Sequence, residues 1–131
     1  MNEKLKILIA EDLDSDAELA IRELDKEFSG ISTQVVETEA DFRAALEKFE
    51  PDAVVSDYRM PSFNGLKALE IAKKVKPFMA FVILTGSMNE DTAVECMKAG
   101  ADDYVIKEHI RRLGPRSEEH TSELQSLSHI S

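Results

Sequence analysis

Five polar residues follow short apolar runs in this sequence, and their types together could perform phosphoryl chemistry. Glu11 and Asp12 follow the run LKILIA, Asp57 follows AVVS, Thr85 follows FVIL, and Lys107 follows YVI. Three converging acids would repel one another, and a divalent cation together with the lysine ammonium could offset that repulsion. Carboxylate and carbonyl oxygens with retained waters suit Mg²⁺. An aspartate held beside Mg²⁺ and a lysine can act as a nucleophile toward a phosphoryl group.

The apolar runs alternate with amphipathic stretches, and this alternation explains how residues far apart in the chain could meet. Short β-rich runs each precede a stretch with apolar residues at helical spacing, which predicts an α/β fold. Right-handed crossovers then give a doubly wound parallel sheet with helices on both faces. The predicted strands are 5–10, 33–37, 52–56, 81–84 and 104–106, and the predicted helices are 14–28, 38–48, 64–75, 89–99 and a last one beginning near 108.

The predicted sheet places all five polar residues at one edge. Each of them follows or ends a strand, and the carboxyl ends of parallel strands form the ligand-binding edge of open α/β sheets. In the five-stranded order 2-1-3-4-5, the strand order reverses between strands one and three, which carry Asp12 and Asp57. We therefore expect a metal and phosphoryl site at this point of the sheet.

Length and charge exclude several other classes of protein. The chain has 131 residues, enough for one domain, and its formal charge of −10 comes from 16 basic and 26 acidic residues. This charge argues against a nucleic-acid interface and against adsorption to an anionic membrane. The sequence shows no signal peptide and no apolar run of transmembrane length. Its one cysteine, Cys96, excludes an internal disulfide and fits a reducing cytoplasmic location.

Each candidate residue also has an ordinary structural explanation when it is taken alone. Asp12 or Asp14 is typical of a helix cap, Lys107 of a solvated surface, and Thr85 of a turn before a glycine. Coincidence explains poorly why complementary chemistry occurs at four separate strand ends.

Four stretches of the sequence resemble the receiver domain of two-component response regulators. They are ILIAEDLDSD around Asp12, VVSDYRMPSFNGL around Asp57, VILTGS around Thr85, and KAGADDYVIK ending at Lys107. They occur in the order of that family and span roughly residues 5–113. The resemblance implies a flavodoxin-like fold and a domain that catalyses only its own phosphorylation and dephosphorylation.

The resemblance implies a Mg²⁺-dependent phosphoacceptor site. Asp57 would accept a phosphoryl group from a histidine kinase or a histidine phosphotransfer protein. Asp12, Asp57 and the backbone carbonyl of Arg59 would bind Mg²⁺ directly, and Glu11 would act through a metal-bound water.

The resemblance also implies how phosphorylation would change the conformation. Lys107 would pair with Asp57 at rest and with the phosphoryl oxygens afterwards. The Thr85 hydroxyl would move to the phosphoryl group, and Tyr104 would follow inward. This movement would switch the face formed by helix four, strand five and helix five.

The sequence departs from the family pattern in three places. Many members have proline after the lysine, whereas Glu108 follows Lys107 here, so we expect a trans peptide bond. Arg59 puts a long cation at the mouth of the site, and we expect its side chain to lie in solvent. The last helix of the 1–115 receiver domain looks truncated, and residues 116–131 resemble the translated adaptor of a sequencing library, so we assign no function to their histidines.

Three other functions remain as alternatives. A Mg²⁺-dependent aspartyl-phosphate phosphohydrolase would usually supply a second acid two residues after the nucleophile, where Arg59 stands. A flavodoxin-like nucleotide or flavin binder would want a glycine- or hydroxyl-rich loop after strand one, where EDLDSD is acidic. A degenerate receiver that only docks a partner would not need Thr85, Tyr104 and Lys107 all in place.

Overall fold

A computed structural model describes residues 5–61, 63–86 and 89–107, which form alternating strands and helices. In chain order they are β1 (Lys6–Ala10), α1 (Asp14–Glu27), β2 (Ser32–Val36), α2 (Glu39–Lys48), β3 (Ala53–Asp57), α3 (Gly65–Val75), β4 (Ala80–Thr85), α4 (Glu90–Lys98) and β5 (Asp103–Ile106). Each predicted strand exists, and no strand end differs from the prediction by more than one residue.

The five strands form one parallel sheet in the order β2-β1-β3-β4-β5, as predicted. Every residue of β3 and β4 is buried, which explains their continuous apolar runs. The edge strand β2 is mostly half-buried or exposed, and its sequence is correspondingly more polar. Asp57 is the last residue of β3 and pairs in register with Leu84, so β3 ends one residue later than predicted.

Helices cover both faces of the sheet and create two apolar layers, which confirms the predicted architecture. One layer contains Phe42 from α2, Leu69 from α3 and Cys96 from α4, packed on side chains such as Phe81. The opposite layer contains residues of α1 such as Leu24. The two layers leave the strand ends as the places where polar side chains can gather.

Capping explains where most of these helices begin. The side chains of Thr38, Asn64 and Asn89 accept backbone hydrogen bonds from residues three positions later, at the starts of α2, α3 and α4. Helix α1 differs, because its N-cap is Leu13 and no side chain caps it. Neither Asp12 nor Asp14 therefore caps α1 with its side chain, and helix capping does not explain these two acids.

Some sequence predictions fall outside the described residues. They are the last helix from Glu108, the trans bond after Lys107, and the nature of residues 116–131, which all stay predictions. Among the described residues, no helix is both long and apolar enough to cross a membrane.

Candidate functional site

The polar residues predicted to converge do lie at the carboxyl edge of the sheet. Asp57 ends β3 and Thr85 ends β4, while Glu11 directly follows β1 and Lys107 directly follows β5. Strands β1 and β3 are neighbours, and β2 lies on the other side of β1, so the strand order reverses between them. The topology therefore brings together residues separated by up to 96 positions in the chain.

The ammonium group of Lys107 is surrounded by carboxylates. Its Nζ lies 3.2 Å from Oδ2 of Asp57 and 3.2 Å from Oε1 of Glu11. A third carboxylate, that of Asp16 in the first turn of α1, lies closer still at 2.8 Å. Burial lowers the pKa of Lys107, but the hydrogen bond to Asp16 and the charges of Asp57 and Glu11 outweigh it and raise the pKa overall. Lys107 therefore stays charged.

Glu11 is a buried acid whose charge is only partly compensated. The residue is 3% exposed, and its Oε2 accepts a hydrogen bond from the backbone N–H of Leu13 at 3.2 Å. Burial and the charge of Asp57 raise the pKa of Glu11 to about 7, against the lowering effects of that hydrogen bond and of Lys107. The Lys107 ammonium hydrogen-bonds to Oε2 at 3.4 Å, whereas Oε1 accepts no hydrogen bond from the described part of the chain and has an ion-pair contact with Lys107 at 3.2 Å. The charge of this buried carboxylate therefore depends on an ammonium group that it shares with Asp57 and Asp16.

Glu11, Asp12 and Asp57 have the composition of a site for a hard cation. Each can offer one carboxylate oxygen, and these oxygens lie within 4.8 Å of one another. All-oxygen ligands suit Mg²⁺, and the buried Oε1 of Glu11 accepts no hydrogen bond from the described residues and shares the charge of Lys107 with two other acids, which favours a further positive charge or a bound water here. The residues present therefore fit the predicted ion.

The loop after β3 is closed tightly behind Asp57. The N–H of Tyr58 donates to the Leu84 carbonyl at 2.7 Å, and the N–H of Gly65 donates to the Tyr58 carbonyl at 2.8 Å. A Cβ atom on Gly65 would lie 3.0 Å from the Asp57 carbonyl oxygen and 3.1 Å from Cα of Tyr58. A larger residue would have to displace this backbone, so glycine lets α3 begin this close to the end of β3.

A comparison with protein families identifies this arrangement. The model of the response regulator receiver domain matches residues 7–114. The chain belongs to this family. Receiver domains are signalling domains, and the match covers the sheet except for Lys6, the four described helices and every residue of the site.

Relatives and a solved structure agree with this assignment. The chain is 35% identical over 78 residues to the luminescence regulatory protein LuxO of Vibrio campbellii, and 36% identical over 78 residues to the transcriptional regulator NtrC of Proteus hauseri. These matches cover 60% of this chain but only 17% and 16% of the relatives. A CheY-like receiver domain protein from Methanospirillum hungatei superposes with a TM-score of 0.71 at 23% identity, covering 98% of this chain and 91% of that one, which supports the fold.

Thr85 and Tyr104, two other predicted site residues, lie on β4 and β5. Thr85 is 6% exposed at the end of β4, next to β5, where it pairs in register with Ile106. Tyr104 lies in β5 opposite Ile83, and its partly buried ring packs against the apolar layer that contains Phe81. Thr85 is thus on the strand next to that of Asp57, and Tyr104 is on the strand beyond it.

Arg59 lies two residues beyond Asp57, in the loop between β3 and α3. It forms an isolated antiparallel bridge with Asn64, which closes the loop, and its side chain is exposed as expected.

Sequence reasoning missed Asp16, which has the closest contact with Lys107. One signal could have found it: Asp16 lies at i, i+4 spacing from Ala20 and Leu24, which are buried on the inward face of α1. An acid in the first turn of a helix, on the same face as its buried residues, is expected to face the site at the carboxyl ends of the strands.

Proposed function

We propose that this receiver domain is a phosphoacceptor that is phosphorylated on Asp57. The observation that supports this most is the contact of Asp57 Oδ2 with Lys107 Nζ at 3.2 Å, in a buried setting beside Glu11 and Asp12. A carboxylate in this position can attack phosphorus, so that an Asp57 oxygen–phosphorus bond forms while the donor's bond to phosphorus breaks and its electron pair leaves with the donor.

The proposed site includes Mg²⁺ held by carboxylates of Asp12 and Asp57 and by the backbone carbonyl of Arg59, with Glu11 binding a metal-bound water. When bound, the ion supplies positive charge that neutralises the phosphoryl oxygens. Lys107 supplies a second positive charge from the β5 side, and burial of Asp57 strengthens both interactions. Support comes from the three clustered acids and from the buried Oε1 of Glu11, which accepts no hydrogen bond from the described residues.

In this proposal, phosphorylation selects between two packings of the domain. A phosphoryl group adds a doubly charged acceptor of hydrogen bonds. The Thr85 hydroxyl and Lys107 turn toward it, and Tyr104 follows inward on β5, changing the face that α4 and β5 share with the last helix. The phosphoryl donor is a histidine kinase or a histidine phosphotransfer protein in the cytoplasm, and no nucleic acid or membrane binds this domain.

The test is incubation with acetyl phosphate, with and without Mg²⁺, followed by intact mass measurement. We expect one added phosphoryl group that requires Mg²⁺ and is absent in Asp57→Ala. A matched control is Asp52→Ala, because Asp52 lies at the opposite end of β3. Uptake by Asp57→Ala would contradict the proposal. No uptake by the unaltered chain would favour a docking module, and steady phosphate release from many small phosphoesters would favour a phosphohydrolase.

A further inference from the structure

The ammonium group of Lys107 has its closest contact with a residue that does not lie at a strand end. Oδ2 of Asp16 lies 2.8 Å from Nζ, whereas the nearest oxygens of Asp57 and Glu11 each lie 3.2 Å away. An ammonium group has three N–H donors. These three carboxylates therefore use all of the donors of Lys107 within the described structure.

The pair of Asp16 and Lys107 is better shielded from water than an ordinary surface ion pair. The side chain of Lys107 is 21% exposed and that of Asp16 is 30% exposed. Among the influences that raise the pKa of Lys107, the hydrogen bond to Asp16 is the largest. The contact also links the first turn of α1 to the end of β5, two elements that lie 91 residues apart in sequence.

We propose that Asp16 is a positioning residue that holds the Lys107 ammonium on the α1 side of the site and competes for it with the group on Asp57. This inference rests on the proposed function of Asp57. A phosphoryl group on Asp57 brings new oxygens to an ammonium whose donors are already used. The donor that contacts Asp57 can pass to a phosphoryl oxygen, but the shorter contact with Asp16 at 2.8 Å holds the ammonium on the α1 side. Asp16 therefore makes the phosphorylated form less favourable than it would otherwise be.

Binding of beryllofluoride in the presence of Mg²⁺ measures this competition, because the adduct mimics a phosphoryl group on a carboxylate. The signal is tyrosine fluorescence, since Tyr58 directly follows Asp57 and the chain has no tryptophan. We expect Asp16→Asn to lower the half-saturating beryllofluoride concentration about two- to fivefold, the range that corresponds to loss of one partly exposed ion pair.

The matched control is Asp14→Asn. Asp14 and Asp16 both lie in the first turn of α1, so both substitutions remove the same charge near the same helix end. Asp14 is exposed and should change the half-saturating concentration little. Asp16→Glu keeps a carboxylate and should bind beryllofluoride more nearly like the unaltered chain than Asp16→Asn does.

A double-mutant cycle tests the ion pair without using phosphorylation. Asp16→Asn, Lys107→Met and the double variant are unfolded with urea in the absence of Mg²⁺. We expect non-additive effects, with Asp16→Asn changing the unfolding midpoint less in the Lys107→Met background than in the unaltered chain.

The outcomes separate this inference from the proposed function. If Asp16→Asn leaves the half-saturating beryllofluoride concentration unchanged, raises it, or lowers it no more than Asp14→Asn does, the inference is overturned. If the unaltered chain does not bind beryllofluoride, the phosphoacceptor proposal fails. The double-mutant cycle then decides alone: coupling supports a positioning role for Asp16, and additivity overturns it.

Discussion

Carboxylates lie at both ends of this sheet, but the two ends use them differently. At the amino ends of the strands, Oδ2 of Asp52 accepts the Lys6 backbone N–H at 2.8 Å, and Oδ2 of Asp102 accepts the Phe81 backbone N–H at 2.7 Å. At the carboxyl ends, Asp57 and Glu11 are buried and share one lysine. The amino-end acids complete the hydrogen bonding of neighbouring strands, whereas the carboxyl-end acids leave negative charge that only partly finds a partner.

This difference shows that an aspartate next to a strand is not informative by itself. Asp52 and Asp57 flank the same strand and carry the same group. Strand direction determines their different roles. The carboxyl ends of parallel strands border a crevice, whereas an acid at the amino ends can accept a backbone N–H of a neighbouring strand. The acidic cluster at the carboxyl ends therefore lowers stability, whereas the acids at the amino ends raise it.

The largest effect that the comparison predicts is a pH dependence caused by Glu11. Its pKa is about 7 in the folded chain, against an ordinary value of 4.5, so the folded chain binds more protons than the unfolded chain between these values. The free energy of unfolding should therefore fall as pH rises from about 4.5 to about 7, by about 2–3 kcal/mol.

Urea unfolding at a series of pH values, with a chelator present, measures this contribution. Glu11→Gln should remove the fall, whereas Asp52→Asn, at the amino edge, should retain it. If the free energy of unfolding of Glu11→Gln falls equally steeply with pH, the raised pKa of Glu11 is not the cause of the fall.

The second prediction concerns Gly65, which packs against the strand end behind Asp57. Gly65→Ala should lower the free energy of unfolding by about 2 kcal/mol, because the new Cβ would meet backbone atoms of Asp57 and Tyr58 that cannot move aside easily. Gly86→Ala is the matched control at the same edge, since its Cβ would meet no atom within 4 Å among the described residues. Equal effects in urea unfolding would contradict the tight closure of the loop.

The smallest of the three effects is expected at the amino edge. Asp102→Ala should lower the free energy of unfolding by about 1 kcal/mol, because the buried N–H of Phe81 loses its acceptor. Asp25→Ala, an exposed position in α1, should change it little. Phosphorylation should survive in both variants. Loss of phosphorylation in Asp102→Ala at unchanged stability would contradict the different roles assigned to the acids at the amino and carboxyl ends of the strands.

The sequence alone predicted the sheet and most of the acidic cluster, because both depend on local patterns and on topology. Apolar runs located the strands, and parallel strand order then placed Asp57 and Lys107 at one edge. Thr38 and Asn89, at the starts of the predicted helices 38–48 and 89–99, are residue types that favour helix N-caps, and both form capping bonds.

The sequence could place Asp16 on the inward face of α1, but it could not identify Lys107 as the partner of Asp16. That contact depends on how α1 packs relative to the end of β5. The burial of Glu11 likewise depends on how three elements pack around one side chain, and no local pattern specifies it. Contacts between side chains of distant elements depend on the details of packing, which local sequence patterns do not specify.

The central claim is that Asp57 is the acid that receives the phosphoryl group. Its most direct test is phosphorylation with acetyl phosphate and Mg²⁺, reduction of the acyl phosphate with borohydride, and peptide sequencing by mass spectrometry. The account predicts homoserine at position 57 and unmodified acids at positions 11, 12, 16 and 52. Reduction at any of those acids instead, with Asp57 intact, would contradict it.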